Sequence, residues 1–178
     1  MAQPPERPGS TASDVRAALD AFRRIVQALR VSARDGERRA GLSGAQLFAL
    51  QQIGEHPGAS INDVAALTFT HQSSVSVVIQ RLVARRLVVK VAPGHDRRRQ
   101  HLELTAAGRR VLRSAPVAVQ ERLIAAIAAL PATERGALAR ALGEVARLVA
   151  PKGAAPHPPM LFEDGVAGRT PSRVRRRR

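Results

Sequence analysis

The apolar residues near the start of the chain recur every three or four positions, which is the spacing of one face of an α-helix. They are Val15, Ala18, Leu19, Phe22, Ile25, Val26 and Leu29. Ser13 and Asp14 precede this stripe and belong to residue types that cap helices, so the pattern predicts a helix over residues 14–33. The polar, proline-rich residues 1–12 are predicted to be disordered, and DGERRAG at 35–41 is predicted to be a loop.

Three further helical patterns follow before residue 87. Ser43 is predicted to cap a short helix that ends near His56, and Ser60 is predicted to cap INDVAALTF. After a tight turn, the segment HQSSVSVVIQRLVARRL forms another helical pattern. Its inward-facing positions are Val75, Val78, Ile79 and Leu82. The last two patterns therefore predict a helix-turn-helix.

Two short segments rich in β-branched residues come next, in VVKVAPGHDRRRQHLELTAAG. A Pro-Gly turn lies between them, so they are predicted to be the strands of a hairpin. Arg97, Arg98 and Arg99 follow this turn, and Asp96 immediately precedes them. The pattern thus predicts a hairpin that carries positive charge at its tip.

The rest of the chain is helical in pattern and then becomes polar. Thr105 begins a long helical segment that Pro116 is predicted to kink or break, and a last helix is predicted to begin just after Pro131. The apolar stripes of residues 14–33 and 106–150 exceed what one small domain can cover, so these segments are predicted to mediate dimerisation.

Residues 151–178 are rich in proline, glycine and arginine and are predicted to be a flexible tail. One apolar island within this tail, MLF at 160–162, could dock locally. The chain of 178 residues is long enough for one domain with tails.

Charge adds information about partners. The chain has 29 Lys and Arg residues against 14 Asp and Glu residues, a net charge of +15. The last ten residues hold six arginines and no acid, so the chain without them would still carry +9. A body this basic favours polyanionic partners.

Other features of the composition exclude some classes of protein. The chain has no cysteine, which excludes disulfides, thiolate zinc sites and thiol redox chemistry. The start of the chain lacks the pattern of a secretory signal, and no apolar run is long enough to span a membrane. We therefore expect a soluble, cytoplasmic protein with no membrane association. Because aromatic residues make up 2% of the chain, the core should be aliphatic.

These elements are the parts of a winged helix-turn-helix, a mainly α fold with a small β-hairpin wing. The domain is predicted at residues 13–150 and its DNA-binding lobe at 43–105. In this fold the second helix of the pair enters the major groove of DNA, where polar side chains reach base edges and phosphates. The residues predicted to contact DNA from this helix and the following strand are Gln72, Ser73, Ser74, Ser76, Gln80, Arg81 and Lys90. For the three serines, helix capping is the alternative interpretation.

The arginine-rich wing is predicted to contact DNA as well. A hairpin is thin enough to approach the minor groove, where arginine suits the concentrated negative potential. We expect Arg97, Arg98 and Arg99 to act there, and Asp96 to orient one of them, Arg98, through a charge-assisted hydrogen bond. A solvated loop that only aids solubility is the alternative.

The quoted segments give the sequence a specific resemblance. LSGAQLFALQQI, SINDVAALTFTHQSSVSVVIQRL and LVVKVAPGHDRRRQHLELTAAG resemble the multiple-antibiotic-resistance regulator (MarR) family, above all in the wing Asp-Arg-Arg followed by Leu-Thr-x-x-Gly. The resemblance covers roughly residues 14–150 in the order of elements. It implies a homodimer with interlaced first and last helices, which binds a pseudo-palindromic site in double-stranded DNA. It also implies repression that a small anionic or aromatic ligand relieves.

Other functions are weighed against this one. Phe22 and Phe48 could line a ligand pocket between the dimer helices and the DNA-binding lobe, although core packing is the favoured interpretation. The five histidines form no i, i+4 pair with acids, so no metal is expected. The sequence has no phosphate-binding glycine loop and no nucleophile with its base, so we expect no catalytic residue and no cofactor. The alternative function is an architectural protein that binds DNA through charge alone.

Overall fold

The structure is a computed structural model that describes residues 8–92, 100–150 and 160–161. Within these residues it has seven helices and two strands. In chain order they are α1 (Pro8–Ala40), α2 (Gly44–Glu55), α3 (Ile61–Leu67), α4 (Gln72–Ala84), β1 (Val88–Val91), β2 (His101–Leu104), α5 (Ala106–Ser114), α6 (Val119–Ala128) and α7 (Ala132–Val149). The predicted fold class, mainly α with a small β-hairpin, is confirmed.

Helix α1 is longer than predicted at both ends. It begins at Pro8, a residue well suited to a first helical turn, so the predicted disorder at residues 8–12 and the predicted cap at Ser13 are wrong. The helix also runs through most of the segment 35–41 that was predicted to be a loop. Gly36 is buried within it, and a Cβ there would lie 3.0 Å from Leu47 Cδ2. This glycine allows α1 and α2 to approach closely and does not mark a turn.

The core is aliphatic, as the composition predicts, and lies around α2 and α4. Helix α2 is buried on most of its surface, and it packs against α1, α4, α5 and β2. The largest fully buried side chains are Leu42, Leu47, Leu50, Ile53, Val64, Val75, Val78, Ile79, Leu82, Val88 and Leu102. Burial on this scale fixes α4 with one face inward and the other outward.

The predicted caps at Ser43 and Ser60 are confirmed, and each forms a capping box. Ser43 Oγ accepts from the Gln46 backbone N–H at 3.3 Å, and Gln46 Oε1 accepts from the Ser43 N–H at 3.2 Å. At α3, Asp63 Oδ2 accepts from both the N–H and the hydroxyl of Ser60 at 2.8 Å. These bonds, first from the backbone and then from the hydroxyl, lower the pKa of Asp63, and the charge of His101 adds to the effect.

The two strands form an antiparallel pair in which Val88 faces Leu104 and Val91 faces His101. The base of the hairpin is attached to the helical core because Leu102 N–H donates to Ala59 O at 2.8 Å. Residues 93–99, which include the predicted tip, lie outside the described residues.

The Leu-Thr-x-x-Gly motif joins the hairpin to α5. Thr105 is the predicted cap of this helix, and its Oγ1 accepts from the Gly108 N–H at 3.0 Å. The Thr105 hydroxyl also donates to Arg86 O at 2.8 Å, and its N–H donates to Leu87 O at 3.0 Å. A Cβ on Gly108 would lie 2.2 Å from Leu87 O. The motif therefore needs threonine for its bonds and glycine for its close contact.

The long helical segment breaks at Pro116, as predicted, into α5 and α6. Gln51 satisfies backbone groups that the helices leave unpaired at this break: its Nε2 donates to Pro116 O at 2.8 Å, and its Oε1 accepts from the Ala118 N–H at 3.2 Å. Helix α7 begins directly after Pro131, also as predicted.

Candidate nucleic-acid interface

Helix α4 has one buried and one accessible face. Its buried residues are Ser74, Val75, Val78, Ile79 and Leu82, which pack into the core. Its exposed residues are Gln72, Ser73, Val77, Gln80 and Ala84, with Ser76 and Arg81 half-buried at the margin. The accessible face, here called the recognition face, comprises Gln72, Ser73, Ser76, Val77, Gln80 and Arg81. It is polar but for one valine.

The structure brings most of the predicted contact residues onto this face, but not Ser74. Ser74 is 9% exposed and lies on the core side, so the prediction that its side chain contacts DNA is corrected. The reason is helical geometry, since residues 74, 75 and 78 share the inward side. The N-cap of α4 is His71, so none of the three serines occupies the capping position.

Val77 is a member of the recognition face that the sequence patterns did not single out. Its side chain is 40% exposed between polar neighbours, although a valine in an otherwise apolar pattern suggests core packing. Exposed methyl groups on such a helix can contact the 5-methyl group of thymine, which is the apolar group that base pairs present in the major groove.

The tight turn before α4 is held by hydrogen bonds to carbonyl groups of α3. Thr70 N–H donates to Ala65 O at 2.9 Å, and Thr68 Oγ1 donates to Val64 O at 2.7 Å. Phe69 lies between them with a φ of 51°, in the left-handed region that non-glycine residues rarely adopt, and its side chain is 78% exposed. The start of the recognition face is therefore set by a strained, tightly bonded turn.

The basic residues near this face have different surroundings. Lys90 is exposed on β1, which packs against α4. Arg85 instead binds within the protein, because its Nη1 donates to Gly41 O at 2.6 Å and to Gln46 Oε1 at 3.3 Å. The wing residues Asp96, Arg97, Arg98 and Arg99 lie outside the described residues.

A cavity of about 380 Å³ opens beside the start of α4. It is lined by Phe48, Thr68, Phe69, Thr70, His71, Gln120, Leu123, Ile124, Met160 and Leu161. Phe48 is thus both a core residue and a cavity wall. Phe22 is not part of this wall: it is 57% exposed on the N-terminal half of α1. The predicted pairing of the two phenylalanines in one pocket is not found within the protomer.

Comparison with known proteins shows a family similarity. Residues 40–99 match the model of the MarR family. This matched segment lies in the middle of the chain. It includes α2, α3, α4 and β1, so the MarR family match covers the recognition face and the core that holds it. Among curated proteins, none matches the sequence.

Solved structures are also similar to the chain. A MarR family transcription regulator is 16% identical, with 79% of this chain and 93% of that chain covered at a TM-score of 0.52. This similarity shows a shared fold. BpsR of Bordetella bronchiseptica, whose DNA binding is regulated by 6-hydroxynicotinic acid, is 25% identical over 75% of this chain and 98% of that chain, with a TM-score of 0.48. A complex of S. aureus MepR with DNA is 18% identical over 72% of this chain and 93% of that chain, with a TM-score of 0.49.

Two other features are absent from the described part of the chain. No described helix combines the length and the apolar character that crossing a membrane requires. No three histidine, aspartate or glutamate side chains in the described ranges lie close enough together to hold a metal ion.

Proposed function

We propose that this protein is a dimeric, sequence-specific regulator of transcription that binds double-stranded DNA. The observation that carries the proposal is the recognition face: polar, exposed side chains on the second helix of a helix-turn-helix, backed by a buried aliphatic core. An α-helix of this kind fits the major groove, where glutamine pairs with adenine and serine binds bases or phosphates. The MarR family match over the same residues supports this assignment.

Within this proposal the roles of the face differ along the helix. Gln72, Ser73, Ser76 and Gln80 read base edges, while Arg81 and Lys90 contact phosphates. Arg97, Arg98 and Arg99 contact the minor groove, and Asp96 orients Arg98. The last four assignments rest on sequence alone.

Dimerisation is supported by apolar side chains that the protomer leaves uncovered. On α1 they include Val15, Leu19, Phe22 and Ile25, and on α7 they include Leu142, Val145, Leu148 and Val149. Helix α7 has no buried residue, so its apolar side needs a partner surface. A second copy with the same stripes would cover both helices and place two recognition faces on the two halves of a pseudo-palindrome.

Leu142→Glu tests the dimer, because an uncompensated charge in a buried contact costs several kcal/mol. Arg140→Glu adds negative charge to the opposite, polar side of α7 and is the matched control. Light scattering at micromolar concentration should give a dimer for the control and a smaller mass for Leu142→Glu. A monomer mass for the unmodified protein would contradict the proposal.

The proposed regulation is repression that a small anionic or aromatic ligand relieves. The cavity beside α4 has a suitable volume, an apolar wall and polar groups at its margin. Gln120 Oε1 is buried there and receives no hydrogen bond from the described residues, so a ligand N–H or O–H could satisfy it. Phe22 would belong to the site only if the partner protomer brought it there.

An architectural DNA-binding protein is the second candidate, favoured by the net charge of +15. The two functions differ in specificity: a regulator should prefer its operator over random DNA by about a thousandfold or more, whereas binding through charge alone should show no such preference. Selection of bound fragments from genomic DNA, followed by competition with random DNA at fixed salt, measures this ratio.

Substitutions then separate base readout from phosphate contact. Gln72→Ala should reduce the preference among operator variants, whereas Arg81→Ala should weaken binding to all sequences alike and lower the salt slope by about one. Arg140→Ala removes the same charge from α7 and should leave specificity unchanged. If Gln72→Ala altered affinity uniformly and Arg81→Ala altered sequence preference, the placement of α4 in the groove would be wrong.

Asp96→Ala tests the wing because two explanations predict opposite signs. The substitution makes the wing more positive, so a purely electrostatic wing would bind DNA more tightly. If Asp96 orients Arg98, operator affinity should instead fall while the helix content by circular dichroism stays the same. A gain in affinity at moderate salt would refute the orienting role.

A further inference from the structure

A short piece of the C-terminal region is packed into the core. Met160 is 4% exposed and belongs to the same cluster of buried side chains as Phe48 and the inward residues of α4. The next residue is held by its backbone, since Gln120 Nε2 donates to Leu161 O at 3.0 Å. The Met160 side chain is therefore held by apolar contacts, and the Leu161 carbonyl is held by the side-chain amide of Gln120.

This docking place adjoins the start of the recognition face. Met160 and Leu161 line the cavity together with Phe69, Thr70 and His71, the three residues that lead into α4. The opposite wall comes from Phe48 on α2 and from α6. Met160 and Leu161 therefore border the same cavity as the turn that contains the left-handed Phe69.

We propose that the Met160 side chain and the Leu161 backbone carbonyl form an intramolecular anchor that positions the turn before α4 and thereby sets the affinity of the recognition face for DNA. The occupant is this chain's own segment because its side chain is already buried and its carbonyl already paired. The effect on DNA rests on the proposed function, but the docking itself does not.

The anchor acts through packing and not through charge. Removing the Met160 side chain from the core would enlarge the cavity that Phe69 and Thr70 also line, and close-packed interiors transmit such changes to neighbouring elements. The six arginines of the tail add electrostatic affinity for any DNA sequence, so their contribution must be kept constant in a test.

Two full-length variants provide that test. Met160→Gln places a polar amide of similar length where the side chain is buried. Leu161→Gln makes the same apolar-to-polar exchange one residue later, where the side chain is 52% exposed and only the backbone carbonyl is bound. Both variants keep every arginine and the same net charge.

Docking is measured without DNA. The chain has no Trp and no Tyr, so Leu123→Trp introduces a single fluorescent reporter at a half-buried part of the cavity wall. In this background we expect Met160→Gln to shift the emission to longer wavelength and to increase quenching by acrylamide, while Leu161→Gln leaves both near the parent values. A synthetic peptide of residues 156–166, added in excess to Met160→Gln, should restore the parent emission.

DNA affinity is measured next on the selected operator, without the tryptophan. We expect Met160→Gln to bind about tenfold more weakly and Leu161→Gln to bind like the parent. Equal emission and quenching in all three proteins would overturn the docking. A clear change in emission with unchanged operator affinity would overturn the positioning role.

Two further outcomes are distinguishable. If the parent showed no preference for any DNA while the fluorescence responded as expected, the proposed function would fail and the docking would stand. If circular dichroism showed that Met160→Gln does not fold, Met160→Ala replaces it, and the same criteria apply to that variant.

Discussion

Replacing Gly108 with alanine should destabilise the protein, although alanine ordinarily stabilises a helix. A Cβ at this position would lie 2.2 Å from Leu87 O and 3.1 Å from Leu87 C. Non-bonded carbon and oxygen atoms need more than 3 Å, so α5 and the residue before β1 would have to separate by about 1 Å. That movement acts on the joint between the hairpin and the helical core.

The magnitude follows from the contacts at this joint. Forcing an extra methyl group into close-packed structure costs about 1–3 kcal/mol. The separation also strains the Thr105 N–H bond to Leu87 O, 3.0 Å long, and loss of such a bond costs about 1 kcal/mol. The higher helix propensity of alanine offsets about 1 kcal/mol of this destabilisation. We therefore expect a net loss of about 1–3 kcal/mol in the free energy of unfolding.

Thermal unfolding followed by circular dichroism measures this loss. For a chain of this length, 2 kcal/mol corresponds to a fall in Tm of roughly 4–8 °C. Gly143→Ala is the matched control, because Gly143 lies within α7 and a Cβ there meets no atom within 4 Å. The control should gain about 0.5–1 kcal/mol. All samples need the same protomer concentration, since association would shift Tm. A Gly108→Ala protein as stable as the parent would refute the steric argument.

Three further predictions concern the same scaffold. Asp63→Asn should lower the free energy of unfolding at neutral pH, because the folded state lowers the pKa of this carboxyl. The difference from the parent should shrink as the pH falls from about 4 through the lowered pKa. Urea unfolding at a series of pH values measures this change. Arg85→Ala should cost about 1 kcal/mol by removing the bond to Gly41 O, measured by urea unfolding with salt varied as a check on simple screening. Gln51→Leu should cost about 2 kcal/mol because it leaves the Pro116 carbonyl and a nearby N–H without their partner, and unchanged stability would show that water replaces the side chain.

Local chemistry made much of the fold predictable. The caps at Ser43, Ser60 and Thr105 depend on hydrogen bonds to residues three positions later, which a sequence displays directly. The break at Pro116 and the start of a helix after Pro131 follow from the missing N–H of proline. These features are encoded within a few residues, and the structure has them where the sequence predicts them.

The errors arose where a contact distant in sequence decides the local structure. Glycine is a residue type that favours turns, but Gly36 lies in a helix and leaves room for the Leu47 side chain of the next helix. Serine is a residue type that often contacts DNA, but Ser74 lies on the side of α4 that faces the core. In each case the residue type allows both roles, and only the packing distinguishes them.

Under the proposed function, the recognition face needs little charge at its centre to read DNA. It holds amides, hydroxyls and the exposed Val77, groups that distinguish bases but attract DNA weakly from a distance. Positive charge lies at one end of the face, at Arg81, and beside the face on β1, at Lys90. Because Leu102 N–H donates to Ala59 O and the Thr105 hydroxyl donates to Arg86 O, the strand that carries Lys90 is held beside α4. The proposed assignment therefore separates the groups that specify sequence from those that supply affinity, and the attachment of the hairpin fixes the geometry between them.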